Sequence, residues 1–224
     1  YTEFYITDPK IRLIHKAPIE DRVVHKLVSR VLEEIFDPAF IAHSYACRKG
    51  KGTHKGVKDI QRFARKVSKN GTKNCFALKC DIKKYFASID HKVLIELLSK
   101  SLKDEEYLDL LKKIVWSFPG DKNYGLPIGN LTSQFFANIY LNELDQFIKH
   151  TLKVKYYLRY TDDFIILSPQ KNELRTLLPR IECFLKEKLL LELHPQKVRF
   201  VQFKNGIDFL GYVVFSHHII PRTK

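Results

Sequence analysis

The chain lacks the marks of several protein classes. Four cysteines, Cys47, Cys75, Cys80 and Cys183, stand in no CxxC spacing and beside no paired histidines, so neither a zinc site nor a disulfide framework is suggested. All four read as reduced, buried thiols. No apolar run is long enough to span a bilayer and no charged-then-apolar leader opens the sequence, which argues against a membrane partner and makes a cytoplasmic protein the expectation. Repeats, low-complexity tracts and recognisable linkers are missing too. Acids are in deficit: 25 Asp and Glu face 39 Lys and Arg, a formal net charge of +14. That imbalance favours a polyanionic partner such as nucleic acid. What is present, 224 residues with 45% apolar content, suffices for one substantial core or two small lobes.

The positive charge is concentrated. Residues 48–73, RKGKGTHKGVKDIQRFARKVSKNGTK, carry ten Lys and Arg and one acid, Asp59. Val57, Ile60, Phe63, Ala64 and Val67 recur through the same stretch at helical spacing, which predicts an amphipathic helix with a basic outer face behind a glycine-rich loop. Lys49, Lys51, Lys55, Lys58, Arg62 and Arg65 are the candidate nucleic-acid contacts. A merely solvated helix face is the plainer alternative.

Pro18 opens a helix through Phe36, with Glu20 and Asp21 in its first turn and Val24, Leu27, Val28, Val31 and Ile35 on the expected core face. NCFALKCDI reads as a strand in which Phe76, Leu78 and Cys80 alternate with Ala77, Lys79 and Asp81. Asp90 and Asp104 are placed to cap two helices. A Gly/Pro/Asn segment at 119–130 interrupts the pattern, helix returns from Leu131, and a further helix at about 172–188 should be kinked or split by Pro179. LLLELHP, VRFVQF and IDFLGYVVF read as short closing strands. The alternation predicts an α+β architecture.

Inside KYYLRYTDDFIILS, residues 155–168, two acids interrupt a run that otherwise reads as a buried strand. A hairpin turn at 161–163 is sufficient reason for Asp162 and Asp163. Because adjacent strand residues face opposite ways, a turn is also what lets both carboxylates approach one point. If Asp81 joins them, the three make a hard oxygen site suited to magnesium, which takes carboxylates and substrate phosphates as ligands. Two such ions clamp the attacking and leaving oxygens of a phosphoryl displacement, and a basic groove supplies the backbone contacts for template and primer.

The segments CDIKKYFASIDH, GLPIGNLTSQFFANIYLNELD, YTDD, LELHPQKVRF and FLGY follow one another in an order that resembles the reverse transcriptases, and the resemblance runs from APIEDRVVHKLV onward. It implies a right-hand polymerase fold of fingers and palm, the palm an antiparallel sheet backed by helices. The fingers would take residues 1–74 and about 98–128, the palm about 75–97 and 129–224, and the family's helical thumb would lie beyond this chain. It implies Asp81 and Asp162 as the principal ligands of two Mg2+ ions, for which Mn2+ can substitute, Asp163 as the second acid of the turn, and the backbone carbonyl of Ile82 completing the shell. Phe86 matches the aromatic gate that excludes a 2′-hydroxyl, with Tyr85 beside it. Arg48, in SYACRKGKG, matches the finger arginine that holds the incoming triphosphate. Lys197 matches the lysine near the pyrophosphate, a candidate general acid, with an ordinary exposed lysine as the alternative.

Motif B departs from the broad family, which carries a glutamine-glycine and a serine-proline pair where this chain has Ile128-Gly129 and Ser133-Gln134. The IGxxxSQ form resembles the enzymes of diversity-generating retroelements, bacterial and phage systems that copy a template RNA with errors at adenines. Isoleucine cannot donate the side-chain hydrogen bond that glutamine offers the nucleotide, so selectivity should fall. Gln134 and Asn138 share one helix face. The expectation is an RNA-directed DNA polymerase extending a DNA or RNA primer on a template RNA with dNTPs, copying with errors beside an accessory protein. The alternatives are another bacterial reverse transcriptase (retron, group II intron-like or defence-associated) and a non-catalytic nucleic-acid-binding module of the same fold.

Overall fold

A computed structural model describes residues 1–7, 11–118 and 123–223. The elements run β1 (Thr2–Ile6), β2 (Arg12–Lys16), α1 (Ile19–Phe36), α2 (Thr53–Val67), β3 (Phe76–Asp81), α3 (Tyr85–Ser88), α4 (His91–Ser101), α5 (Glu105–Trp116) and α6 (Leu131–Gln146). A π-helical turn at Phe147–Thr151 leads to β4 (Tyr156–Tyr160), β5 (Asp163–Ser168), α7 (Lys171–Lys188), β6 (Arg199–Gln202), β7 (Ile207–Phe209), β8 (Tyr212–Val214) and β9 (Ile219–Pro221). No helix among the described residues is long and apolar enough to cross a membrane.

Two compact units result: Tyr1–Phe40 with Lys84–Glu143 and Leu189–Leu191, and Ile41–Lys83 with Leu144–Lys188 and Glu192–Lys224. Residues 41–74 thus group with the sheet and 129–143 with the helices.

In the first unit, α4 and α5 are capped as expected: Asp90 Oδ1 accepts from the Val93 N–H and Asp104 Oδ1 from the Tyr107 N–H, both at 2.9 Å. Each cap satisfies a backbone donor that the helix itself leaves unpaired. On α1 only Val28 of the expected face is buried. Val24, Leu27, Val31 and Ile35 are 40–57% exposed, and the buried residues are His25, Val28, Ser29, Leu32 and Phe36. The polar members of that stripe are satisfied inside, Ser29 Oγ donating to the His25 carbonyl at 2.7 Å and Thr132 Oγ1 lying 2.8 Å from His25 Nδ1, so they bear burial without the penalty of an unmet hydrogen bond. Of the expected interruption at 119–130, residues 119–122 lie outside the described residues. The remainder is non-helical, and Gly129 (φ +117°) runs so close to β2 that a Cβ would stand 2.8 Å from Ile14 Cγ2.

The second unit is built on an antiparallel sheet of order β4-β5-β3-β6. Ala77 pairs with Leu167, Lys79 with Ile165 and Asp81 with Asp163, so these residues share one face. There α2 lays down Val57, Ile60, Phe63, Ala64 and Val67 in one core with Ala77, Leu158, Ile165 and Leu167. That is the amphipathic helix the spacing predicts. α7 lies along β3 and β5 and buries Leu174, Leu177, Ile181 and Leu185. It continues through Pro179 as one helix, so the proline does not split it. The buried leucines and isoleucine flank the proline on both sides, and Pro179 is exposed, so water can take the carbonyl it leaves unpaired. LLLELHP is no strand, contributing only an isolated bridge between Leu193 and Ile82. IDFLGYVVF folds into the β7–β8 hairpin, turned by left-handed Leu210 and Gly211. Cys75 and Cys80 are buried as expected, but Cys47 and Cys183 are exposed, and all four are free.

Candidate active site

Strand pairing brings the acids together. Asp81 ends β3 directly opposite Asp163, the first residue of β5, and Asp162 sits in the two-residue turn between β4 and β5. Thr161, the other turn residue, is left-handed at φ +53°, a strained conformation for a β-branched residue that persists only where the surroundings enforce it.

The enforcing group is Arg159, which is fully buried. Its Nη1 donates to the Thr161 carbonyl at 3.0 Å, while Nε and Nη2 grip the two oxygens of buried Asp145 at 2.8 and 2.7 Å. The Tyr157 hydroxyl donates to the same carboxylate at 2.6 Å. Burial, and then the Asp145 charge, hold that phenol far above its ordinary range, so it stays a donor. The pair is bidentate and desolvated, the geometry in which Arg is not replaceable by Lys.

The carboxylates repel one another. Burial raises the Asp162 carboxyl to about 6, with the Asp81 charge the next cause upward and Lys197 acting downward. Asp163 is also raised, by burial first, then opposed by Lys79 and reinforced by Asp81. Two ammonium groups partly answer this charge. Lys197 Nζ donates to Asp81 Oδ1 at 2.7 Å, and Lys79 Nζ stands 4.0 Å from Asp163 Oδ1 while donating to the Asp208 carbonyl at 2.9 Å. The bridge at Leu193 uses Ile82's neighbours, Lys83 N–H to Glu192 and His194 N–H to the Asp81 carbonyl, so the Ile82 carbonyl takes no part in it.

The remaining candidates are spread more widely. Arg48 Nη1 donates to the carbonyls of Ile41 and Ser44 at 2.7 and 3.2 Å, and Lys51 Nζ to that of Ala42 at 2.7 Å, so both brace their own loop. Lys49, Lys55, Lys58, Arg62 and Arg65 are exposed. Tyr85, Phe86, Ile128, Gly129 and Gln134 belong to the first unit. Tyr85 is buried there with its hydroxyl donating to the Ala137 carbonyl at 2.6 Å, which makes it a packing residue. Phe86 is half-buried against the Tyr85 ring, and its carbonyl accepts from Leu126 N–H at 2.8 Å. The Ile128 carbonyl accepts from His15 N–H at 2.9 Å.

The profile described as "Reverse transcriptase (RNA-dependent DNA polymerase)" matches residues 7–214. The chain belongs to the reverse transcriptase family. It is 25% identical over 91% of its length to the group II intron-encoded protein LtrA of Lactococcus lactis, and 33% identical over 66% of its length to an uncharacterized 91 kDa protein in the cob intron of Schizosaccharomyces pombe. It spans 44% and 20% of those two proteins. Among solved structures it resembles the apo telomerase of Candida tropicalis truncated from its C-terminal domain, with a TM-score of 0.73 at 14% identity, covering 98% of this chain and 54% of that one. Telomerase from Candida albicans, solved with a TWJ fragment of telomeric RNA, is similar at a TM-score of 0.70 and 13% identity, over 98% of this chain and 46% of that one. The fold of this reverse transcriptase chain is the right-hand polymerase fold.

Reverse transcriptases carry divalent ions, and the donor set here fits them. No group of three His, Cys, Asp or Glu side chains among the described residues is arranged to hold an ion unaided, but magnesium needs only one or two carboxylates beside substrate phosphates. Asp162 and Asp163, raised by burial and by the Asp81 charge, lack sufficient positive charge beside them, and a divalent cation supplies it. The cost should be measurable. Asp162 titrates higher in the fold than unfolded, so its favourable contribution is complete below about pH 4 and is lost as pH rises through about 6. A carboxyl raised from 3.8 to about 6 represents at most about 3 kcal/mol. In chelator, Asp162→Asn should therefore be more stable than wild type near pH 7, with the advantage vanishing near pH 4. Urea unfolding across that range measures it, and equal stability at pH 7 would show that burial and the Asp81 charge do not penalise the Asp162 carboxylate.

Two residues of this site were not singled out from sequence. Lys79 shares a strand face with Asp81, two residues away, and Arg159 places a charge in an otherwise apolar strand. Both signals are readable, because a charge in a buried strand demands a partner.

Proposed function

We propose that this chain is the fingers and palm of an RNA-directed DNA polymerase that extends a primer on an RNA template. The observation that carries the proposal is the pairing of Asp81 with Asp163 across β3 and β5, with Asp162 in the adjoining turn. Asp81 and Asp162, with the Ile82 carbonyl, hold the metal ions, and Asp163 adds charge behind them. The ions, when bound, supply charge neutralisation on the triphosphate and activation of the primer hydroxyl. Lys197, hydrogen-bonded to Asp81, gives a proton to the departing pyrophosphate. Arg48 takes the triphosphate after leaving its loop carbonyls, Phe86 limits the sugar to deoxyribose, and the exposed face of α2 holds nucleic-acid backbone.

The finer reading is error-prone copying of a retroelement template RNA in a bacterial or phage system, supported by Ile128-Gly129 and Ser133-Gln134 in motif B. Intron-encoded copying is the second reading, favoured by the likeness to the Lactococcus protein. Sequencing products made on one RNA template separates them. Wild type should misincorporate opposite adenine, and Ile128→Gln should restore accuracy by about two- to tenfold, the worth of one hydrogen bond of about 0.5–1.5 kcal/mol. Low, uniform error in the wild type would leave the intron-like reading. No extension on any RNA template would remove the polymerase reading itself.

A further inference from the structure

The basic face of α2 does not end with the helix. Lys58, Arg62, Arg65 and Lys66 line a shallow surface depression with Asn70. Across the turn at 68–71 opens a second, larger cavity of about 540 Å³, bordered by Lys73, Lys204, Thr72, Asn74 and Ser216. Neither lining contains a carboxylate. Elsewhere in the chain lysines and arginines find acids: Lys83 with Glu192, Lys100 with Glu96, Lys112 with Asp109 and Arg222 with Asp208, at 2.7–3.3 Å. Here Asp59 is the single acid, and it is held by Arg62 at 2.8 Å and the Tyr45 hydroxyl at 2.6 Å. Lys58, Arg65, Lys66, Lys69, Lys73 and Lys204 have no acidic partner among the described residues.

The place of this cavity sets it apart from the chemistry. Its floor includes Cys75, just before β3, and Pro169, just after β5. The catalytic acids stand at the other ends of the same two strands. Five residue steps along β3 separate the two ends, about 17 Å at roughly 3.4 Å per residue.

We propose that the cavity at the Lys73–Lys204 end of the sheet is a second nucleic-acid site, which seats a single-stranded phosphodiester segment distinct from the stretch being copied. The unpaired ammonium groups of Lys73 and Lys204 meet phosphates, and the hydroxyl and amide groups of Thr72, Asn74 and Ser216 meet sugar and base edges. The choice of RNA as occupant rests on the polymerase reading above; the chemistry shared by RNA and DNA is the phosphate chain.

The test is Lys73→Gln combined with Lys204→Gln, both exposed positions where the fold should not suffer. Losing two single-strand phosphate contacts lowers the salt slope by about 1.4 log-log units and weakens binding of a long unstructured RNA about 25-fold at 0.1 M salt. Extension of a short template–primer duplex with magnesium should be unchanged, and that arm reports on the polymerase reading separately. An equal loss for a DNA of the same sequence assigns the site to the phosphate chain; a loss confined to RNA assigns it to the ribose hydroxyls as well. Unaltered affinity and slope would overturn the proposal. So would an equal loss of short-duplex extension, which would make the cavity part of the copying groove.

Discussion

Arg159→Met is expected to destabilise the protein by about 3–5 kcal/mol, because it leaves the Asp145 carboxylate buried without its countercharge. Asp145 and Arg159 are both fully buried, so water cannot replace the lost partner. A second loss should accompany the first. Without Nη1 on its carbonyl, the strained Thr161 has less to hold it left-handed, and Asp162, the next residue, loses its fixed position. The two effects separate in the combined variant Arg159→Met, Asp145→Leu, Tyr157→Phe, which removes the stranded charge and the hydroxyl that served it. Replacing a whole buried ionic group by apolar residues is often neutral, so denaturant unfolding should return close to wild type. The turnover rate should stay about tenfold low, the worth of one hydrogen bond near 1.4 kcal/mol, with template affinity unmoved. Full recovery of turnover along with stability would make Arg159 a core residue only.

Why that group escaped a reading of the sequence is physical. Local pattern identifies elements whose signal is carried along one stretch of chain. The alternation of FALKCD, the spacing of Val57, Ile60, Phe63, Ala64 and Val67, and the aspartates before α4 and α5 are all of this kind. Asp81, Asp162 and Asp163 were legible for a different reason: a turn alone could account for two of them, and it is the order of the motifs around all three that resembles the reverse transcriptases. Arg159 reaches its partner across 14 residues of sequence, and nothing local names Asp145.

The misread elements fail for related reasons. α1 is apolar on more than one face, and which face is buried depends on neighbours such as Thr132 and Tyr107, whose hydroxyl donates to the Val28 carbonyl at 3.0 Å. LLLELHP has the composition of a strand, but only Leu193 finds an edge to pair with. The β1–β2 hairpin is exposed along most of its length, so burial leaves no periodic mark on it. Motif B is similar: Gly125 and Gly129 run close to the backbone of Ala87 and His15, neighbours that no local pattern names.

Metal held by Asp81 and Asp162 with Asp163 behind them, the proposed centre of nucleotidyl transfer, calls for single-turnover primer extension on one RNA template with magnesium titrated, comparing purified wild type with Asp162→Ala prepared in parallel. A metal ligand contributes several kcal/mol to the stabilisation of developing charge, and about 4 kcal/mol corresponds to roughly a thousandfold in rate. Wild type should extend only with divalent metal. The variant should fall by about a thousandfold or more while folding at least as stably in chelator and binding template–primer as before. Extension by wild type that persists in chelator, or a folded Asp162→Ala protein that copies at the wild-type rate, would mean that nucleotidyl transfer does not run through metal held at Asp162.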